Sequence, residues 1–250
     1  MDAALEAAGV TKRFGGVAAL TDVDLRLGSR ELLAIIGPNG AGKTTLMSVL
    51  AGSVPSDGGS IQFDRQSVTA WSVDRRAAHG LVRSFQIVSV FPELTARENV
   101  LLAAQVQDGR NFDLWRPAGA YPDLRDSAAT HLDAVGLGYR SDIPAQRLSH
   151  GEKRLLELAM ALAAKPRVLL LDEPMAGLGT REAREVVHLI ARLKGCFAIV
   201  LVEHDMDAVF ALADRVMVLA AGKVVACGPP DEIRANPAVR LAYLGEEDND

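Results

Sequence analysis

Two cysteines in 250 residues, Cys196 and Cys227, are too few and too far apart for a disulfide framework or a metal-ligand spacing. Reduced, buried thiols of a cytosolic protein are the expectation. Long apolar runs are missing as well. Stretches such as Val168–Leu171 and Phe197–Val202 reach only strand length, well short of the roughly 20 residues that a membrane-spanning helix needs. The opening MDAALEAAG has no basic segment followed by an apolar one, so no secretory signal is expected. Clustered basic charge is equally scarce: the net charge is −5, and basic residues adjoin only at Lys12-Arg13, Arg75-Arg76 and Lys153-Arg154. A nucleic-acid groove wants a basic stripe, so no nucleic-acid partner is expected. The acidic tail with Glu246, Glu247, Asp248 and Asp250 reads as a solvated, frayed terminus. No internal repeat or low-complexity tract appears, which argues for one unit with ample length to bury a core.

What is present is a ligand chemistry. Residues 37–44 read GPNGAGKT, fitting GxxxxGK[ST] at every fixed position. Gly37, Pro38, Asn39, Gly40, Ala41 and Gly42 form the loop, whose glycines would let backbone N–H groups wrap a triphosphate. Lys43 offers a point charge to the outer phosphates, and the Thr44 hydroxyl suits Mg²⁺. The apolar run Glu31–Ile36 upstream has strand character, and the segment from Thr45 to Ala51 downstream reads as helix. That order aims a helix N-terminus at the anion.

The rest of the chain alternates. Residues 5–35 read as strands around a Gly15-Gly16 turn, with Val23–Leu27 alternating at period two. Ser56–Ser60 opens a short strand over Ile61–Phe63, a short helix is expected over Asp74–His79, and Leu81–Gln86 returns to strand. Thr95 and Glu98 form a capping-box pattern before helix-like Asn99–Gln107. Asp108–Asp126 reads as an ordered loop or insertion, followed by helices at Ser127–Val135 and Glu152–Ala164, the latter closed by Lys165-Pro166. Strands at Val168–Leu171 and Phe197–Val202 alternate with helices at Arg181–Leu193 and Asp205–Ala213. A hairpin follows around Ala221-Gly222. This alternation predicts a parallel, doubly wound α/β sheet interrupted by a helical middle.

Residues 167–173 read RVLLLDE, a buried-type strand ending in two carboxylates. Strand ends in such sheets meet the ligand. Asp172 would hold Mg²⁺ and Glu173 would polarise the attacking water, or the pair would cap the turn before Pro174.

Residues 148–152, LSHGE, open the following helix and resemble the LSGGQ signature of the ATP-binding cassette (ABC) family. Other markers fall in that family's order. The resemblance implies that Phe14 stacks on adenine, although it could be a core aromatic. It implies that Gln86, otherwise a surface amide, senses the γ-phosphate and the metal, and that His204 in VEHD is the switch histidine rather than a structural one. It further implies a P-loop NTPase fold with an antiparallel β-subdomain and an inserted helical subdomain. One cassette domain would span residues 5–245, with about 1–86 and 166–250 forming the core and about 87–165 the helical part. In the family, the signature of one subunit caps the γ-phosphate held by the other, which casts Ser149, His150, Gly151 and Glu152 as donors acting in trans, with Thr45 on the phosphate-binding side.

Departures from the family pattern include His150 and Gly179. His150 replaces a glycine and either adds charge or points outward. Gly179, in AGLG, replaces an Asp that contacts the facing subunit, leaving Asp-mediated coupling of the two sites in doubt. Finer similarity, in GVTKRFGGVAAL, Arg83–Gln86, VFPELTARENVL, DEPMAGL, VEHDMDAVFALADRVMVL and Ala242–Gly245, is to ATPase subunits of branched-chain amino acid importers and of urea or amide importers. The resemblance implies ATP and Mg²⁺ as cofactors and a homo- or heterodimer on the cytoplasmic face of the inner membrane. Permease subunits would dock near Ile87, Val88, Val90 and Phe91, with a periplasmic binding protein involved indirectly. A cassette exporter or lipopolysaccharide-export ATPase, and a soluble ABC-type ATPase acting on ribosomes or DNA, are the alternatives.

Overall fold

The computed structural model describes residues 3–84, 90–107 and 121–244. Strands β1 (Ala3–Phe14) and β2 (Val17–Gly28) form an antiparallel hairpin. Gly15 supplies the left-handed conformation of its turn, at φ 57°. Along β2, Val23, Leu25 and Leu27 are buried while Asp22, Asp24 and Arg26 face water, the period-two pattern read from the sequence. Then come β3 (Leu32–Ile36), α1 (Lys43–Ala51), β4 (Gly58–Phe63), β5 (Gln66–Ser67), α2 (Val73–Ala78) and β6 (Leu81–Arg83). Helices α3 (Ala96–Gln107), α4 (Pro122–Ala134) and α5 (His150–Ala163) follow, with no strand between them among the described residues. The chain closes with β7 (Val168–Asp172), α6 (Thr180–Leu193), β8 (Ala198–Val202), α7 (Met206–Leu212), β9 (Arg215–Ala220), β10 (Lys223–Gly228), α8 (Pro230–Ala235) and α9 (Pro237–Leu244).

Two sheets result. One is antiparallel, in the order β2-β1-β4-β5; the other runs β10-β9-β3-β8-β7-β6 and is parallel except for the β9–β10 hairpin at its edge. Alternate residues of each central strand enter different cores. Leu33, Ile35, Val168, Leu170, Val200 and Val202 pack with α1 and the antiparallel sheet. Leu32, Ala34, Ile36, Leu169, Leu171, Ile199 and Leu201 pack with the helices on the opposite face. Burial on both faces explains why these strands read as unbroken apolar runs.

Local signals place the helix ends. Glu98 accepts from the backbone N–H and hydroxyl of Thr95 at 2.8 and 2.7 Å, as the capping pattern predicts. Those bonds, backbone first, hold its carboxyl below the usual range. Two expectations are corrected. Residues 122–126 belong to α4 rather than to a loop, because Pro122 sits in the first helical turn, where its missing N–H costs nothing. Both cysteines are exposed rather than buried: Cys196 lies in the turn after α6, and Cys227 faces outward on edge strand β10.

Arg76, 2% exposed, has no counterpart in the sequence reading. Its Nη1 donates to the carbonyls of Val49 and Leu50 at 2.8 and 2.6 Å, and Nη2 donates to Thr69 at 3.1 Å. The guanidinium thus closes the C-terminus of α1, where orphan carbonyls and the helix dipole favour a cation. Burial pulls its pKa down. Arg76→Met keeps much of the apolar stem and orphans these carbonyls. Unfolding in urea should show a loss of about 2–4 kcal/mol; a loss under about 0.5 kcal/mol would refute the capping role.

Candidate functional site

The GPNGAGKT loop joins β3 to α1 at the carboxyl edge of the parallel sheet. Gly37 is obligatory there, because a Cβ would run into the Leu219 carbonyl. Gly42, at φ 102°, would place a Cβ 2.5 Å from the Ala19 carbonyl. Gly42 is also the N-cap of α1 and brings no side-chain cap. The first N–H groups of the helix are therefore left for an anion. The loop is moored by Gly222, whose N–H donates to Ala41 at 3.0 Å. Asn39, Gly40 and Thr44 are exposed, and Pro38, Gly42 and Thr45 are half-buried. Lys43 is 6% exposed, and its Nζ donates to the carbonyls of Gly37 (2.6 Å) and Pro38 (2.9 Å).

Asp172 ends β7 and is fully buried. Its Oδ2 pairs with Arg83 Nη2 at 2.6 Å, while Oδ1 has no hydrogen-bond partner among the described residues. Arg83 also donates from Nη1 to Ser48 Oγ at 3.0 Å, so one guanidinium joins β6, β7 and α1. The sequence reading placed Arg83 in a motif but gave it no such task. The unsatisfied Asp172 oxygen and the Thr44 hydroxyl in the first turn of α1 are hard donors that fit Mg²⁺. No group of three or more His, Cys, Asp or Glu able to hold a metal occurs among the described residues. Phosphate oxygens and water would complete such a shell.

Glu173 follows β7 in a left-handed conformation, φ 50°, a cost of roughly 1 kcal/mol for a non-glycine residue. Its N–H donates to Val202 at 2.9 Å, across to the end of β8. Its Oε1 meets His204 Nε2 at 2.9 Å. An ionised carboxylate has no proton to give, so Nε2 carries the hydrogen. Glu203, 5% exposed, accepts from the N–H of Met175 (2.8 Å) and of His204 (3.1 Å), tying the loops after β7 and β8 together. Burial pushes its pKa up. Its lone acidic letter beside His204 gave the sequence reading no signal.

The LSHGE segment lies on α5. Ser149 is its N-cap: Ser149 Oγ accepts from the Glu152 N–H at 3.1 Å and Glu152 Oε2 accepts from the Ser149 N–H at 2.8 Å. A Cβ on buried Gly151 would sit 2.7 Å from the Glu182 carboxylate, so glycine permits the close approach of α6. His150 is exposed, its ring against Gly177 in the loop after Glu173. Gly179 is the N-cap of α6 and offers no side chain. Phe14 is 52% exposed, which rules out the core reading and leaves its ring accessible, with Lys12 Nζ 5.4 Å from the ring centroid. Gln86, Ile87 and Val88 lie outside the described residues, as do Trp115 and the acidic tail.

A family profile described as ABC transporter matches residues 20–176. The chain belongs to the ABC transporter family. This cassette binds and hydrolyses ATP, and the loop, Asp172, Glu173 and His204 lie at one edge of its sheet. A second profile, described as branched-chain amino acid ATP-binding cassette transporter, matches residues 223–249. LivG of Salmonella typhimurium, a high-affinity branched-chain amino acid transport ATP-binding protein, is 40% identical over 245 residues, covering 95% of this chain and 96% of LivG. BraF of Pseudomonas aeruginosa, described in the same words, is 38% identical, covering 97% of this chain and 98% of BraF. Among solved structures, the ADP conformation of MJ1267, an ATP-binding cassette of an ABC transporter, superposes with a TM-score of 0.86 at 27% identity. That match covers 98% of this chain and 100% of MJ1267.

In the role expected for it, Lys43 would be a charge-assisted donor to the phosphates, which Lys43→Ala would remove. A titration with a fluorescent ATP analogue should show affinity falling about a hundredfold; unchanged affinity and turnover would take Lys43 out of its assigned role.

Proposed function

We propose that this cassette powers uptake of branched-chain or related amino acids across the inner membrane from its cytoplasmic face. The observation that carries the solute class is the C-terminal match over residues 223–249, supported by similarity to LivG and BraF along almost the whole chain. The ATP-handling residues are silent on the solute, since the binding protein and permeases select it. No helix among the described residues is long and apolar enough to cross a membrane. Attachment would therefore come through separate permease subunits and, indirectly, a periplasmic binding protein.

Phe14 stacks on the adenine, and the N–H groups of residues 37–45 cradle the phosphates. Lys43 leaves the carbonyls of Gly37 and Pro38 and turns to the phosphate oxygens, a change of partner rather than a gain of one. Glu173 takes the proton of a water whose oxygen attacks the γ-phosphorus as the bond to the bridging oxygen breaks, giving ADP and phosphate. His204, 2.9 Å away, fixes the carboxylate's orientation. Mg²⁺, which Thr44 and Asp172 would hold, would supply charge neutralisation at the phosphates.

Ser149, His150, Gly151 and Glu152 face a second cassette, identical or different, and close over the γ-phosphate that it holds. One cassette therefore carries half of each of two sites.

Glu173→Gln should bind ATP, lose hydrolysis by at least about a hundredfold, and stall as a dimer. A monomer in saturating ATP and Mg²⁺, by size-exclusion chromatography with light scattering, would count against the paired arrangement. His204→Ala should keep nucleotide affinity and suppress turnover to a similar degree; full activity would remove its switch role. In liposomes holding the permeases and binding protein encoded beside it, ATP should drive leucine uptake. Urea or amide uptake without leucine would reassign the solute.

A further inference from the structure

The fifth signature residue here is Glu152, where LSGGQ has glutamine. Either residue completes the capping box with Ser149, but only glutamate brings a negative charge to the helix end. In the paired arrangement proposed above, that end must receive an anion. A like charge within a few ångströms of the γ-phosphate opposes closure.

The structure contains a countermeasure. Glu152 Oε2 is occupied by the Ser149 N–H, and Oε1 accepts from Arg140 Nε at 2.9 Å and from the Tyr139 hydroxyl at 3.2 Å. Partial burial pushes the Glu152 carboxyl up. The Ser149 N–H, Arg140 and Tyr139 outweigh that and hold it below its ordinary range, so it is ionised and paired. Both partners come from a tight turn, Gly138–Arg140, between α4 and α5. A Cβ on Gly138 would strike the Asp133 carboxylate, so the turn sits hard against α4. Tyr139, Ser149, Gly151, Glu152 and Glu182 line one cleft of about 510 Å³ beside the signature.

We propose that Arg140, assisted by Tyr139, is a positioning residue of the composite site. It neutralises Glu152 and turns that carboxylate back onto Ser149, so that the N-terminus of α5 presents a hydroxyl and N–H groups, not a bare charge, to the ATP of the facing subunit. Arg140 acts through Glu152, by their 2.9 Å ion pair. The inference rests on the signature acting in trans.

The test is ATP hydrolysis by the full-length chain. Arg140→Ala should lower kcat/KM about tenfold at low ionic strength, with the loss shrinking in about 0.5 M salt as the Debye length contracts. Glu152→Gln in the Arg140→Ala background should restore most of it, because the charge that needed neutralising is gone and the capping box survives. A purely structural Arg140 would show no such rescue, so an unrepaired loss overturns the proposal, as does an unchanged kcat/KM. Arg140→Gln serves equally if the alanine variant fails to fold. Ser149→Ala separates the two levels. Full activity there removes the trans-signature reading itself, whereas a large loss beside an indifferent Arg140→Ala sinks only the role of Arg140.

Discussion

A parallel sheet that is apolar on both faces leaves polar chemistry one place to go. In β3, β7 and β8, successive side chains enter opposite cores, and neither core accepts an unpaired charge without a large desolvation cost. Polar groups are displaced to the edge where the strands end. Gly37 follows β3, Glu173 follows β7, Glu203 and His204 follow β8, and Arg83 closes β6. Neighbouring parallel strands are hydrogen-bonded in fixed register, so groups far apart in sequence arrive within contact distance. Asp172, drawn below that edge into full burial, is held by Arg83.

Three arginines do comparable physical work at different depths. Arg76 closes α1 from behind, Arg83 ties Asp172 to α1 through Ser48, and Arg140 holds the carboxylate at the head of α5. Each is planar and permanently charged, and each binds oxygen acceptors on an element other than its own. Two of these contacts bear on α1, whose N-terminus is the anion end. Both hold the C-terminal part of that helix, at Ser48, Val49 and Leu50.

The sequence showed what short range dictates. The glycines and Lys43 of the loop, the apolar runs of β7 and β8, the Thr95–Glu98 cap and the hairpin at Ala221-Gly222 all lie within a few residues of their partners, and the structure has them where the pattern put them. Contacts across long separations were invisible: Arg83 meets Asp172 89 residues away, and Arg76 meets Leu50 26 residues away. Glu203 looked like one more acid beside His204 because nothing local says that it is buried. The loop expected over Asp108–Asp126 hid the start of α4, whose first turn holds Pro122. Cysteine's usual burial misled for Cys227, since an edge strand turns alternate residues to water.

The position of Lys43 has a consequence for the resting protein. Its ammonium spans two carbonyls of its own loop, so the charge of Lys43 has acceptors built into the chain. An incoming phosphate competes with an internal ligand, and its affinity is the difference between two sets of contacts. Stray anions too weak to displace the carbonyls find little to bind. With those two carbonyls as partners, the lysine side chain is held against its own loop by contacts within the chain.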